Sequence, residues 1–162
     1  MSNIQKVGAA AIVVIAVIAY FLIGGDDAES AINKRLDELE ALASKTGKES
    51  QFDMLGKAKK ASGYVVEQPY LELLPGYDIV GDRDALTGML VSLRGRVSTA
   101  DVDFSGRQIS IGDSGKTALV NATVSAKAEG YGDGRTHRSK YRMEWVEQNG
   151  DWLIARVELL ER

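Results

Sequence analysis

The sequence TALVNATVSAKAE, residues 117–129, alternates apolar and polar side chains along almost its whole length. A period of two is typical of a β-strand that buries one face and exposes the other. The glycine-rich loop 130–134 follows, and residues 137–145, HRSKYRMEW, then alternate in the same way. Two alternating segments joined by a short loop predict a long antiparallel hairpin with one apolar face.

The alternation also extends to the amino-terminal side of this hairpin, where Val102 and Phe104 alternate with aspartates. The string SIGDSGKT, residues 110–117, is similar to a nucleotide-binding P-loop and also contains the GDSG sequence that surrounds a trypsin-like nucleophile. A P-loop needs a helix start that directs amide groups at phosphate, and here a strand follows instead. We therefore predict a hairpin turn over residues 112–115.

The segment WVEQNGDWLIARV, residues 145–157, predicts the closing hairpin. A two-residue loop ending at Gly150 would pair Trp145 with Ile154 and would place a charged residue opposite the next apolar position. A three-residue loop ending at Gly150 pairs Trp145 with Leu153 and keeps the apolar residues of both strands opposite one another. Because register follows the buried face, we predict the three-residue loop, with Gly150 in the left-handed conformation.

Three helices are predicted before the sheet, at residues 28–45, 50–63 and 82–93, the last with Asp82 as its N-cap. Their predicted apolar faces are Ile32, Leu36, Leu39 and Leu42 in the first, Phe52, Leu55 and Ala58 in the second, and Leu86, Met89, Leu90 and Leu93 in the third. The intervening segment 64–74 mixes strand formers with Pro69, which predicts an edge strand or an irregular extended arm.

Residues 7–25, VGAAAIVVIAVIAYFLIGG, form an uncharged apolar run. A helix of this length covers about 28 Å, close to the thickness of a bilayer's hydrocarbon core. Lys6 precedes the run and acidic residues follow it, so the positive-inside rule places residues 1–6 in the cytoplasm and residues 26–162 outside the inner membrane, in the periplasm or the extracellular space. The competing interpretation is a cleaved signal peptide, although no small-residue cleavage site follows the run.

The segment 26–162 is long enough for one domain with a single core. It holds every acidic residue of the chain and every basic residue except Lys6, and its net negative charge argues against nucleic-acid binding. The chain contains no cysteine, which excludes disulfides, a thiol nucleophile and a thiolate metal site.

Three helices followed by a curved antiparallel sheet, an α+β arrangement, resemble the nuclear transport factor 2-like (NTF2-like) superfamily, which includes ketosteroid isomerase and the SnoaL-like proteins. The segment 145–157 is similar to the W…G-x-W-x-I ending common there. The resemblance covers residues 28–160 and implies a cone of helices packed on the sheet. With an N-terminal span, the layout is also similar to membrane-anchored VirB8-type secretion components and Mce-associated proteins, which implies an assembly role outside the inner membrane.

Arg138, Lys140 and Arg142 share one face of their predicted strand and are the strongest interaction candidates in the chain. Such a row of cations can bind an acidic partner or anionic lipid headgroups. The alternative interpretation is a solvated strand face whose charges have cross-strand partners.

A cone of this kind can also hold a small apolar ligand, and the residues predicted to line such a cavity are Tyr64, Phe104, Tyr141, Met143 and Trp145. The same aromatic side chains can fill the core instead. An enclosed cavity with a buried carboxylate would favour the ligand site, whereas a filled core would favour an interaction domain.

No catalytic, cofactor-binding or metal-binding residue is predicted. His137, the sole histidine, is a candidate general base, but a histidine at a strand end is more often structural. Asp101 with Asp103, and Asp82 with Asp84, are paired carboxylates that a solvent-exposed strand face and a helix start explain. The aspartate base and the tyrosine donor of the steroid isomerases have no matching positions here.

The sequence therefore predicts a single-pass, membrane-anchored protein whose exterior domain is a non-enzymatic interaction or assembly module of a cell-envelope complex. Its predicted partners are the lipid bilayer and either another protein or a second copy of the chain. The alternative is a domain that binds a small apolar ligand or carries a SnoaL-like activity. If the N-terminal run is cleaved, the product is a secreted soluble domain.

Overall fold

The computed structural model describes residues 27–74, 77–130 and 133–161. The predicted membrane span, residues 7–25, lies outside these ranges, and none of the helices within them is long and apolar enough to cross a membrane. The elements in chain order are α1 (Ala28–Ala43), α2 (Gln51–Ser62), β1 (Val65–Leu74), β2 (Tyr77–Val80), α3 (Arg83–Arg96), β3 (Thr99–Ile111), β4 (Thr117–Glu129), β5 (Thr136–Gln148) and β6 (Asp151–Glu161).

The six strands form one sheet in the order β2-β1-β6-β5-β4-β3. All neighbouring strands are antiparallel except β1 and β6, which run parallel. The predicted α+β class is confirmed, but the sheet is mixed rather than antiparallel, because the last strand of the chain inserts between β1 and β5.

Strand β1 is not the edge strand or irregular arm that its proline predicts. It lies between β2 and β6, and its register with β6 shifts from Val65 opposite Ile154 to Tyr70 opposite Arg156. Five residues of β1 thus span the distance of two residues of β6. Pro69 lies in this irregular stretch, where a ladder hydrogen bond from its nitrogen is not required.

The helices begin where the sequence predicts, because each has an N-cap side chain that accepts a backbone N–H. Asp27 caps α1, Ser50 caps α2 in a reciprocal capping box with Asp53, and Asp82 caps α3. The predicted apolar face of α2 is correct for Ala58, which is buried, but wrong for Phe52, which is 84% exposed. Leu55 is exposed as well, and α2 instead packs on α3 through Ala58 and Ser62, whose hydroxyl lies 2.7 Å from that of Thr87.

One hydrophobic core lies between the helices and one face of the sheet, called the inner face below. The opposite sheet face is called the outer face. The buried residues of the core are Ile32, Leu36, Val65, Leu71, Leu86, Ala118, Val120, Ala122, Met143, Trp145, Trp152, Ile154 and Val157. The inner-face residues of β4 and β5 are those of the alternating pattern, which explains why the period of two locates this part of the core.

The closing hairpin has a two-residue loop, and the predicted three-residue loop is wrong. Gln148 pairs with Asp151, and the loop residues Asn149 and Gly150 both have positive φ, 54° and 87°. Two left-handed residues match the right-handed twist of the flanking strands, and an Asn-Gly pair adopts this conformation readily.

The apolar faces of the two strands are matched by a bulge in β6 rather than by the loop. Trp145 pairs with Ile154, and the register then shifts so that Met143 lies opposite Val157. In a regular ladder, with no bulge at Ala155, the residue opposite Met143 would be Arg156. The extra residue therefore lies in a bulge of β6 and not in the loop, where the prediction placed it.

Replacing Gly150 with valine should destabilise the fold by about 1–3 kcal/mol, because a β-branched residue is strained at positive φ. The matched control is Gly56→Ala in the middle of α2. At both glycines an added Cβ meets no atom within 4 Å, so the two sites differ in backbone conformation rather than in space. Gly56→Ala should stabilise by roughly 0.5–1 kcal/mol. Urea unfolding of both variants checks the prediction, and a neutral Gly150→Val would contradict it.

Candidate functional site

The inner face of the sheet is filled by side chains where a ligand cavity is predicted. Val120 of β4 and Trp145 of β5 are fully buried against Ile32 and Leu36 of α1, which are also fully buried. Met143 is 3% exposed beside them. With this packing, the protein's own side chains fill the centre of the inner face.

The other three residues predicted to line a cavity lie around this core. Phe104 is half-buried on β3, and Tyr141 is half-buried on β5, where its hydroxyl donates a hydrogen bond of 2.7 Å to the carbonyl of Leu73. Tyr64 is buried at the start of β1 and lines a surface cleft. Of the five residues, Met143 and Trp145 thus lie in the core. Phe104 and Tyr141 lie at its margin, and Tyr64 lies in a separate cleft.

One polar atom inside the core has no partner. The indole N–H of Trp145 is buried, and no acceptor among the described residues reaches it. An unsatisfied buried donor costs about 1–3 kcal/mol. A water molecule or a small polar group beside this ring would relieve that cost.

A surface cleft of about 290 Å³ lies between α1 and the turn that joins β5 to β6. It is lined by Ala31, Lys34, Arg35, Glu38, Tyr64, Gly150 and Trp152. The guanidinium of Arg35 lies 4.8 Å from the centre of the Tyr64 ring and forms an ion pair with Asp151. The cleft therefore combines an aromatic wall with charged side chains, of which Arg35 is already paired with Asp151 and Glu38 with the hydroxyl of Tyr64.

The phenol in this cleft is not prepared for proton transfer near neutral pH. Burial raises the pKa of Tyr64 to about 12, and the hydrogen bond that its hydroxyl donates to the Glu38 carboxylate acts in the same direction. The hydroxyl is thus protonated and its hydrogen is already engaged. This arrangement can bind or orient a guest, but it does not supply a general base.

A buried charged cluster holds the three helix ends together, and the sequence gives no warning of it. Arg94 is only 8% exposed, and it donates from Nε and Nη2 to the two carboxylate oxygens of Glu49 at 2.9 and 2.7 Å. The same guanidinium donates to the carbonyls of Leu42 and Ser44 at the end of α1. Arg94 therefore satisfies backbone groups that the helix end leaves unpaired.

Lys45 makes the reciprocal contact to the end of α3. Its buried ammonium donates to the carbonyls of Arg94 and Val97 at 2.8 and 2.7 Å. A cation from each helix end thus binds the carboxyl end of the other helix, where the helix dipole favours positive charge. Because its donors and acceptors are paired with each other and with the backbone, this cluster is structural rather than a ligand site.

Acid should weaken this cluster through Glu49. The hydrogen bond from Arg94 lowers the pKa of Glu49 from 4.5 to about 2. Because the folded-state pKa is depressed, the stabilisation is fully present above pH 4.5 and is lost as the pH falls towards 2. The free energy of unfolding in urea, measured between pH 5 and pH 2.5, should fall more steeply for the native chain than for Glu49→Gln. Glu144→Gln, at an exposed site, should keep the native slope, and equal slopes in all three would contradict the assignment.

The three candidate interaction residues lie side by side on the outer face of β5. Arg138, Lys140 and Arg142 are all exposed. Lys140 forms an ion pair of 2.7 Å with Glu161 of β6, whereas the two arginines form no ion pair with any described residue. Their cross-strand neighbours on β4 are polar but uncharged: Ser125 opposite Arg138, Thr123 opposite Lys140 and Asn121 opposite Arg142.

The histidine and the aspartates considered above as candidate acid–base groups are dispersed over the surface. His137 is exposed at the start of β5, with its Nε2 3.1 Å from a carboxylate oxygen of Asp133. Asp101 and Asp103 are exposed on β3, and Asp82 caps α3. Within the described ranges no three histidine, aspartate or glutamate side chains cluster in a way that could hold a metal ion.

No protein-family model and no curated protein sequence matches the chain. Solved structures do match. A "Putative Scytalone Dehydratase" from Novosphingobium aromaticivorans has a TM-score of 0.65 and 19% identity over 82% of each chain. The Kfla4162 protein from Kribbella flavida has a TM-score of 0.66 and 16% identity over 82% of this chain and 89% of that one. A designed NTF2 protein has a TM-score of 0.57 and 15% identity over 83% of this chain and all of that one.

This chain has the NTF2-like fold. At these identities the likeness concerns the fold, and the predicted resemblance to the NTF2-like superfamily is confirmed at that level. The closer likeness to membrane-anchored VirB8-type or Mce-associated proteins stays a prediction. In this NTF2-like domain the cleft beside Tyr64 and the cationic outer face of β5 are two candidate sites for function.

Proposed function

We propose that the chain is a single-pass membrane protein whose NTF2-like domain, residues 26–162, is a non-enzymatic interaction module of a cell-envelope complex. The observation that supports this most directly is the packed inner face, where Trp145 and Met143, two of the residues predicted to line a ligand cavity, are instead buried in the core together with Leu36. When the interior of a domain is filled by its own side chains, its binding sites lie on its surface.

The outer face of β5 is the proposed contact surface. Arg138 and Arg142 are exposed, lie on one strand face and have no ion-pair partner among the described residues. Two unpaired guanidinium groups flanking Lys140 favour an acidic surface, because arginine pairs with carboxylates through two parallel hydrogen bonds. The proposed partner is therefore an acidic protein surface in the same compartment.

The proposed anchor is the apolar run at residues 7–25. α1 begins at Ala28, so only a few residues separate the proposed span from the domain. The domain would then stay within a short distance of the membrane surface and of other membrane proteins, which raises its effective concentration for them. Lys6 before the run and acids after it support a cytoplasmic N-terminus and a periplasmic or extracellular domain.

Membrane fractionation tests the anchor. The full chain should stay in the pellet after an alkaline carbonate wash, and protease added to spheroplasts should digest the domain while intact cells protect it. Release of the chain by carbonate, or a mature protein that lacks residues 1–25, would contradict the proposal and would favour the secreted form.

Charge reversal at Arg138 and Arg142 together should weaken partner binding at least about tenfold, or roughly 1.4 kcal/mol, because each site then repels the acidic surface. The measurement is crosslinking in native membranes followed by identification and quantification of what copurifies. The matched control is Arg135→Glu, a reversal at a side chain that is 83% exposed outside the strand. A partner recovered equally with the double variant would contradict the proposed surface.

A second candidate function is the binding of a small ligand, or a SnoaL-like activity. Two observations favour it: the buried indole N–H of Trp145 lacks an acceptor, and some proteins of similar fold bear enzyme names, including the scytalone dehydratase above and a "putative polyketide cyclase" from Pseudomonas putida. A ligand that raises the melting temperature of the native chain but not that of Trp145→Phe would support it. A screen of aromatic polyketide-like compounds without such a shift would leave the interaction module as the better account.

A further inference from the structure

β3 is an edge strand, and α1 with its following loop covers the backbone of its first half. Ala100 exchanges both of its outward hydrogen bonds with the backbone of Lys45, at 2.7 and 2.8 Å. The outward N–H of Val102 donates to the hydroxyl of Ser44, and that of Phe104 to the carboxylate of Glu40. The edge from residue 100 to 104 is therefore closed to another strand.

A bulge in β3 changes which residues hydrogen-bond to β4 and which have backbone groups that point away from the sheet. Gly106 has φ of 60°, and the register with β4 shifts between Ser105 and Gln108. Beyond the bulge the even-numbered residues bond to β4, as the N–H of Gly112 does to the carbonyl of Thr117 at 2.8 Å. The backbone groups of Ile109 and Ile111 therefore point away from the sheet.

These outward groups form an open half-edge, defined here as residues 109–111. Within the described part of the chain, no residue hydrogen-bonds to the outward N–H or C=O of Ile109 or Ile111. Ile111 is 38% exposed and lies on the same strand face as Ile109, which packs on the core. An edge with free backbone groups and apolar side chains is a template for another strand.

We propose that the open half-edge pairs with the same segment of a second copy of this chain, antiparallel about a two-fold axis at Ser110. Ile109 of each copy then lies opposite Ile111 of the other, and these two residue pairs exchange four backbone hydrogen bonds. The contact joins two six-stranded sheets edge to edge. It goes beyond the partner contact proposed for the outer face and does not depend on it.

In this register the segment 109–111 of one copy is complementary to the same segment of another copy. A second copy of the chain is therefore the proposed partner. On the inner face the isoleucines of the two copies meet, so the exposed side chain of Ile111 is covered by an apolar neighbour. On the outer face Ser110 meets Ser110 of the second copy. Such a two-fold contact closes on itself and yields a dimer rather than a filament.

Disulfide crosslinking tests the pairing, because the native chain has no cysteine. Residues 110 of the two copies form a non-hydrogen-bonded pair, in which Cα atoms lie about 4.5 Å apart, within the range that a disulfide spans. Full-length Ser110→Cys, oxidised in its native membranes, should run as a covalent dimer on a non-reducing gel. Ser105→Cys is the control: it is an exposed serine on the same strand, before the bulge, and should stay monomeric.

A second pair of variants separates the backbone contact from the side chain. Ile111→Pro in the Ser110→Cys background removes one outward N–H without touching the bonds to β4, and the dimer should be lost. Ile111→Ala in that background keeps the N–H and should leave a reduced dimer yield. Failure of Ser110→Cys to crosslink, equal crosslinking of Ser105→Cys, or an unchanged yield with Ile111→Pro would each overturn the proposal. Equal crosslinking of Ser105→Cys would indicate face-to-face packing instead.

Discussion

Replacing Arg94 with alanine should lower the free energy of unfolding by about 3 kcal/mol, because the buried carboxylate of Glu49 keeps its ion pair with Lys57 but loses both hydrogen bonds from the guanidinium. The side chains of Arg94 and Glu49 are only 9% exposed. The substitution also removes the donors for the carbonyls of Leu42 and Ser44, which weakens the contact between the end of α1 and α3. Both losses act on the folded state and in the same direction.

Urea or thermal unfolding of the isolated variant measures this effect. The control is Arg135→Ala, which removes an arginine that is 83% exposed and should change stability by no more than about 0.5 kcal/mol. The double variant Arg94→Ala with Glu49→Gln should be less destabilised than the sum of the two single changes, since the carboxylate charge that Arg94 offsets is absent from it. Strict additivity, or a loss below about 1 kcal/mol for Arg94→Ala, would show that the pair is not the stabilising contact.

Replacing Trp145 with alanine should cost a similar amount, about 3–5 kcal/mol, because the ring is fully buried at the centre of the inner face. The variant should also change the function of the domain. Removing the indole opens a hole among apolar neighbours, and engineered apolar cavities of about 150 Å³ stay dry and bind benzene or xenon. Trp145→Ala should therefore gain a binding site for small apolar molecules that the native chain lacks.

The measurement is the melting temperature with and without benzene. Trp145→Ala should melt at a higher temperature with benzene present, whereas the native chain should not respond. Phe52→Ala is the control for loss of an aromatic side chain, because Phe52 is 84% exposed and its removal should leave both stability and ligand response unchanged. A native chain that already responds to benzene would favour the small-ligand function over the interaction module.

The sequence predicts the elements of this fold better than their contacts. The period of two locates β3, β4 and β5, apolar spacing locates the first two helices, and the N-cap Asp82 locates the start of the third, because these signals depend on nearby residues. The position of β1 between β2 and β6 depends on a strand more than eighty residues away. Local sequence carries no signal for that pairing, so Pro69 led to the wrong prediction of an edge strand.

The closing hairpin shows a related difficulty. The requirement that Met143 face an apolar residue is correct, and Val157 meets it. The sequence does not reveal whether the compensating extra residue lies in the loop or in the strand. Asn149 is the residue that decides, since it accepts a positive φ and allows the shorter loop.

The candidate site could be predicted only in part. The cationic row of β5 follows from alternation, and the structure places all three residues on the exposed face. Arg94 could not be distinguished from Arg96 by sequence, although only Arg94 is buried, because the difference lies in which side of α3 meets the end of α1. The cleft beside Tyr64 joins a helix, a strand start and a distant turn, and no local pattern marks such a meeting.

The central position of β6 has a consequence for how the protein is made. The segment that completes the sheet follows all the other strands in the chain, so β1 and β5 cannot be joined through β6 until residues 151–161 have been synthesised. Folding that waits for distant segments is slow, and unpaired strands are exposed in the meantime. A chain cut before Trp152 would be left with two incomplete half-sheets.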